Sequence, residues 1–268
     1  MIEPKDQYRT NFFHDKRILG EFYGTNNGPT VIIFAGIHGN EKAGVHASDK
    51  VIQKINDGHL KFKGNLHIIL GNINALNKGM RFEKVDLNRI WQNDHIEALE
   101  NNKGELFAEE KEQSDILLII KNILIHQPGP FYFLDLHTTS ATSVPFITIS
   151  DSLNNRKFSS NFPIPVVLGI EEYLDGPLLT FINEFGHISL GFEGGQHNDK
   201  QSVKNCEAFV WLALAESKCI SKSSISNLKT YENELRKWHP KEEFFEINYR
   251  YDLKKNEHFR MDLGFENF

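Results

Sequence analysis

The feature that most constrains this chain is a series of short, mostly apolar runs, several of them closed by Gly, Asn or His, separated by amphipathic stretches. They are Val31 to Ala35, Leu66 to Leu70, Phe131 to Leu136, Val144 to Ile149, Val166 to Gly169 and Ile188 to Phe192, of which Val144 to Ile149 is followed by Ser150 and Ile188 to Phe192 by Glu193. A strand with one wet face alternates apolar and polar residues, whereas a strand covered on both faces is apolar throughout. Such runs alternating with helical patterns predict an α/β fold: a mixed, mostly parallel central sheet flanked by helices.

The helix signal is strongest from Glu109 to His126, where Ile116, Ile119, Ile120 and Ile123 recur at helical spacing and Pro128 follows as a stop. A second helix is expected between Asp199 and Ser217. Beyond it the Ser-rich stretch SKCISKSSIS leads into a polar, charged segment and then FFEINYRY, which reads as an isolated strand. A domain boundary is therefore expected near residue 225, with residues 1–225 catalytic and residues 226–268 beginning a second, β-rich domain.

A chain of 268 residues has room for one large domain or two unequal ones. Its formal charge of -6 gives no reason to expect a nucleic-acid partner, because phosphate binding needs clustered Lys and Arg. The 2 cysteines, Cys206 and Cys219, are too few for a disulfide framework and lack the paired spacing of a Cys-type zinc site. The N-terminus has no apolar signal core, and no run approaches the roughly 18 residues needed to span a bilayer. The expectation is a cytoplasmic protein with no membrane partner. Homo-oligomerisation stays open.

The first run continues as VIIFAGIHGNEKAG, a buried strand broken at Gly36 and Gly39 before a helix begins. Ligand sites in open α/β sheets gather at the carboxyl ends of strands, so His38 and Glu41 leave the scaffold where chemistry is done. A turn that brings residues three apart onto one side lets an imidazole nitrogen and a carboxylate oxygen meet one metal ion. Gly39 removes a side chain that would crowd them. The next ligand must come from another strand, and FLDLHTT offers His137 at the end of one. Two His and one Glu form a known set for a catalytic zinc, whose remaining position is left to water. The reading is one Zn2+ per chain on His38, Glu41 and His137.

Asp135 lies two residues before His137, on the same side of an extended strand, and could orient a ligand imidazole. A histidine taken alone is more often a surface or packed residue than a ligand. His14, His59, His95, His239 and His258 keep that plainer reading, and His197 stays open because it follows the next motif.

In HISLGFEGGQHND, Glu193 leaves an apolar strand into two glycines. Desolvation there would raise its pKa and suit it to take a proton from water, which makes it the candidate general base. A turn acid packed against backbone amides is the alternative. The segment MRFEKVDLNRIW brings Arg81, Asp86, Asn88 and Arg89 together. Arginine offers a planar fork that matches a carboxylate and Asn adds a donor and an acceptor, so Asn88 and Arg89 suit an anionic substrate end. A solvated charged loop would look much the same.

Taken in order, HGNE, DLNR, DLHT and FEGG resemble the succinylglutamate desuccinylase and aspartoacylase family, which is related to the zinc carboxypeptidases. The resemblance covers most of residues 28–217. It implies a zinc carboxypeptidase-like fold, zinc on His38, Glu41 and His137, Glu193 as catalytic acid/base, Asn88 and Arg89 on a substrate carboxylate, and Arg81 near the scissile carbonyl. An arginine that helps to bind substrate in aspartoacylase-like members, about ten residues before the catalytic Glu, is replaced here by Asn183. The final segment, FFEINYRYDLKKNEHFRMDLGFENF, resembles the opening of a β-rich domain, so a truncated second domain is expected.

The expected reaction is hydrolysis of the amide bond of an N-acyl amino acid, of the N-succinylglutamate or N-acylaspartate type, by metal-promoted attack of water. Two alternatives stand beside it: a carboxypeptidase-like metallopeptidase using the same groups, and a metal-binding pseudoenzyme. A serine hydrolase is disfavoured because no G-x-S-x-G elbow occurs. No Walker A motif or G-x-G-x-x-G fingerprint supports a nucleotide cofactor.

Overall fold

Runs with apolar residues on both faces need cover on both, and the sheet they build has it. The computed structural model describes residues 16–24, 28–58, 60–101, 104–238, 243–251, 253–254 and 256–260. His14, His59 and His239 lie outside these, as does the end of the C-terminal segment. Among the described residues the strands are β1 (Ile18–Phe22), β2 (Thr30–Ala35), β3 (Asn65–Leu70), β4 (Phe131–Thr139), β5 (Phe146–Ile149), β6 (Val166–Leu168), β7 (Ile188–Gln196) and β8 (Phe244–Glu246). They form one sheet in the order β1-β3-β2-β4-β7-β5-β6-β8. The central neighbours β3, β2, β4 and β7 are parallel. β1 is antiparallel at one edge, and β5 turns antiparallel to β7 and carries β6 and β8 parallel to itself.

The helices are α1 (Ala43–Gly58), α2 (Ile73–Lys78), α3 (Asn93–Asn101), α4 (Ala108–His126), α5 (Leu153–Ser159), α6 (Leu178–Glu184), α7 (Lys200–Glu216) and α8 (Leu228–Arg236). Strand alternation divides each apolar run between two cores. Val31, Ile33 and Ala35 of β2 join Val51 and Ile55 of α1 and Phe209 of α7, while Ile32 and Phe34 join Ile116, Ile120 and Ile123 of α4 and Phe181 of α6. Each such side chain, fully buried, contributes roughly 1.5–3 kcal/mol of transfer free energy, so covering both faces about doubles what a strand supplies.

The structure departs from the sequence reading at several ends. β5 begins at Phe146 instead of Val144, because Pro145 has no N–H to give a ladder. β4 and β7 continue past their expected ends at Leu136 and Phe192. β8 is not isolated: it pairs with β6 from Val166↔Phe244 to Leu168↔Glu246. Next to the boundary expected near residue 225, α8 rests on α7 through the stacked Trp211 and Tyr231 rings, 5.8 Å apart. No helix among the described residues is long and apolar enough to cross a membrane.

Candidate active site

Because β2 and β4 are parallel neighbours with Ala35 paired to Leu136, the chain leaving β2 turns directly beside His137. Because β4 and β7 are also parallel neighbours, with His137 paired to Glu193, those two side chains share a face. Strand register therefore brings residues 38, 137 and 193 to one place. They open into a cavity of about 270 Å³ that Arg81, Asn88 and Arg89 also line.

The turn after β2 is fixed locally. Gly36 has a φ of 75°, a left-handed conformation that suits glycine. The Glu41 amide donates to the His38 carbonyl at 3.0 Å, which closes the turn and puts both side chains on one side. The expected reason for Gly39 needs correction. A Cβ there would lie 2.1 Å from the Ala75 carbonyl carbon, so the glycine lets this turn pack on α2 instead of clearing space around His38 and Glu41.

His38, Glu41 and His137 present donor atoms that all lie within 4.8 Å of one another. His38 Nδ1 is 2.9 Å from Glu41 Oε1 and His137 Nδ1 is 3.0 Å from Glu41 Oε2. On their far sides, His38 Nε2 meets Asp86 Oδ1 at 2.9 Å and His137 Nε2 meets Asp135 Oδ2 at 2.8 Å. The Thr138 amide also donates to Glu41 Oε2 at 2.9 Å. A neutral imidazole has one N–H. With that proton on Nε2, donated to the aspartate, each Nδ1 points a lone pair at carboxylate lone pairs. A second proton on each ring, or one cation shared by all three groups, makes those contacts favourable. The donor set thus fits a divalent cation held by two imidazole nitrogens and a carboxylate, each imidazole backed by an acid.

The electrostatics follow the same contacts. Burial by itself would raise the Glu41 carboxyl, but hydrogen bonds with His137 and His38 outweigh it and hold the group well below the usual carboxylate range. Burial would also raise Asp86, and its contacts with His38 and Arg81 reverse the shift. For His137, burial would lower the pKa, and the Asp135 and Glu41 carboxylates raise it well above the ordinary value. Glu193 differs: burial dominates and pushes it up to about 7, against the pull of His137. Its Oε2 is buried and has no hydrogen-bond partner among the described residues.

Glu193 does not stand at a strand end, as its sequence suggests, but inside β7. The two glycines after it serve packing. A Cβ on Gly194 would come 2.7 Å from Cys206 Sγ on α7, and Gly195 has a φ of 111° where the pairing with β4 shifts register. Bulges of this kind commonly re-aim side chains beside active sites.

The DLNR segment divides its work. Arg81 donates from Nη2 to Asp86 Oδ2 at 3.0 Å and from Nη1 to Glu41 Oε1 at 3.2 Å. Asn88 Oδ1 accepts from the Leu178 amide at the start of α6 at 2.9 Å, leaving its NH2 group for other work. Arg89 donates from Nη1 to the Asn88 carbonyl at 2.7 Å, and burial lowers its pKa. Sequence reasoning grouped Asp86 with these three and missed its contact with His38. It also missed the stretch from Ile170 to Leu179, part of which lines the cavity; no residue pattern there would have exposed it. His197 Nδ1 lies 2.7 Å from Thr138 Oγ1, one residue from His137. Asn183 faces a separate cavity and accepts from Asn155 at 2.9 Å. His95 lies on α3, away from the cluster, and His258 is exposed.

A model of the succinylglutamate desuccinylase/aspartoacylase catalytic domain matches residues 27–209. Succinylglutamate desuccinylase of Pseudomonas paraeruginosa (strain DSM 24068 / PA7) is 36% identical over 76 residues, which is 28% of this chain and 23% of that protein. The alignment therefore spans less than a quarter of that curated relative. The crystal structure of succinylglutamate desuccinylase from Chromobacterium violaceum has a TM-score of 0.66 at 18% identity, covering 91% of this chain and 74% of that one. The product-bound ectoine utilization protein EutE (DoeB) from Ruegeria pomeroyi has a TM-score of 0.59 at 19% identity, covering 75% and 60%. At these identities the structural likeness establishes the fold.

Proposed function

The chain belongs to the succinylglutamate desuccinylase/aspartoacylase family, and on that premise we propose that it is a zinc-dependent hydrolase of the amide bond of an N-acyl amino acid. The observation that carries the proposal is the meeting of His38, Glu41 and His137 beside a Glu193 carboxyl whose pKa is pushed up to about 7. An acid raised by burial, its Oε2 without a hydrogen-bond partner among the described residues, beside an acid-backed His-Glu-His set in an open cavity is the arrangement that active sites favour.

His38, Glu41 and His137 would hold the zinc, with Asp86 and Asp135 fixing the imidazole protons on Nε2 so that Nδ1 offers its lone pair. Zinc held there would supply the acidification of water, towards a pKa of about 7, and the polarisation of an amide carbonyl. Glu193 takes a proton from the attacking water, whose oxygen bonds to the amide carbon. The C–N bond then breaks, and Glu193 returns the proton to the departing amine nitrogen. Arg81, the cation nearest the cluster, offsets negative charge developing on the carbonyl oxygen. The Arg89 guanidinium and the NH2 group of Asn88 hold the free carboxylate, so that the amide sits near attack distance.

The test is metal analysis of the purified chain followed by a substrate panel of N-succinylglutamate, N-acetylaspartate, other N-acyl amino acids and short peptides. Bound zinc with turnover of an N-acyl amino acid is expected. Release of C-terminal residues from peptides in preference to deacylation would make the protein a carboxypeptidase-like enzyme. Bound zinc with no turnover of any member would make it a metal-binding pseudoenzyme.

A further inference from the structure

The cavity is lined by two unlike sets of residues. One is Arg81, Asn88 and Arg89 with the His-Glu-His cluster. The other is Ile170, Leu174, Pro177 and Leu179, an apolar wall that Gly191 and Thr148 adjoin at Leu179. Among the described lining residues, Arg81 and Arg89 are the guanidinium groups and there is no lysine. Arg81 is already engaged by Asp86 and Glu41. The ionisable side chain that the wall segment contributes to the cavity, Glu171, is an acid.

The two sets are joined at one point, which decides what part of a substrate meets the wall. Asn88 Oδ1 holds the Leu178 amide, the Trp91 amide donates to the Gly176 carbonyl at 3.1 Å, and a Cβ on Gly176 would fall 2.6 Å from the Arg89 carbonyl oxygen. The turn that carries Asn88 and Arg89 is thus packed directly on the segment that carries Leu174, Pro177 and Leu179. An amino acid whose carboxylate is held by Asn88 and Arg89 has its α-carbon at that junction, and its side chain reaches the wall. The wall there is deepened by Gly191, which lies two residues before Glu193 on the same face of β7. A Cβ at Gly191 would lie 2.3 Å from Thr148 Oγ1 and 3.6 Å from Leu179 Cδ1, so any larger residue would fill that space.

Resting on the hydrolase reading above, we propose that the amino-acid half of the substrate carries an uncharged, mainly apolar side chain, and that Leu174, Pro177, Leu179 and Gly191 select it. A side-chain carboxylate would leave water for a wall whose lining residues offer it one hydroxyl, Thr148, and no cation; Arg250, which donates to the Tyr173 carbonyl, is exposed and does not line the cavity. An unpaired charge in such a place is far more costly than a buried methylene is favourable.

The experiment compares zinc-loaded full chain on N-acetyl-L-leucine, N-acetyl-L-aspartate and N-succinyl-L-glutamate. With the acetyl group held constant, kcat/KM should be about ten- to a hundred-fold higher for the leucine compound than for the aspartate compound. A preference for either acidic compound overturns the inference and leaves the hydrolase reading intact. Cleavage of short peptides with none of the three hydrolysed overturns the hydrolase reading and this inference with it. Calorimetric binding of the same compounds to the zinc-loaded Glu193→Gln protein ranks them without turnover, and there too leucine must bind more tightly. Leu174→Arg, checked for a native melting transition, should move the leucine-to-aspartate ratio about ten-fold towards aspartate by adding a cation to the wall. An unchanged ratio in that folded variant removes the wall from substrate selection.

Discussion

His137 and Glu193 occupy paired positions on adjacent central strands, with Asp135 fully buried behind them. Leu174 and Pro177 line the same cavity from a short connection and the cap of α6, a helix of 7 residues. The first region is held by sheet hydrogen bonds on both sides and by two cores. The second lies outside the sheet and is held by the Asn88–Leu178 and Trp91–Gly176 contacts and by α6, which packs into one core. Bond-making groups must be held within a fraction of an ångström, which covered strands provide, whereas recognition of a side chain tolerates a softer wall. The difference predicts that changes in the sheet region alter metal and turnover, and changes in the wall alter preference.

The largest effect should come from His38→Ala, which removes a ring from the cluster. Zinc should fall to near background after dialysis and activity with it; retention of stoichiometric zinc, read by elemental analysis, would take His38 out of the site. Next is Glu193→Gln, which should keep zinc and lose about 10²- to 10⁴-fold in kcat. A variant that loses zinc as well would move Glu193 from the proton-transfer role to the metal. Asp135→Asn should weaken zinc affinity by about 10- to 100-fold, measured by competition with a chromogenic chelator, because the amide no longer fixes the His137 proton as a carboxylate does. Asp86→Asn should act in the same direction but less, since Asp86 is less buried than Asp135. The smallest effect belongs to recognition. Arg89→Lys should raise KM about ten-fold with kcat nearly unchanged, because lysine keeps the charge but not the planar fork. A drop confined to kcat would place Arg89 in the chemistry.

How much was readable depends on the distance over which each relation acts. The apolar runs disclosed six of the eight strands among the described residues, because cover on both faces leaves a composition mark. β1 escaped because ILGEF is an edge strand with a bulge at Ile18/Gly20, and such a strand needs no special composition. His38 and Glu41 were legible as a pair because one tight turn joins them. Asp135 was legible beside His137 because alternation within a strand is local. Asp86 was not read as the partner of His38, because 48 positions separate them and no periodicity links them. Gly39 was assigned the wrong neighbour for the same reason: α2, on which it packs, comes after β3.

Local order in the chain determined the α/β class and the strand-end turn holding His38 and Glu41, and it supplied the ionisable groups proposed for acid–base and anion-binding work. Those properties depend on residues within a turn or two of one another, where chemistry and backbone geometry act directly. Tertiary structure decided that residue 137 returns to residue 38, that Glu193 stands beside His137, and that the segment from Ile170 to Leu179 packs against the turn carrying Asn88 and Arg89. Those depend on the order and register in which strands pair, a choice made by the burial of the whole sheet between its two cores.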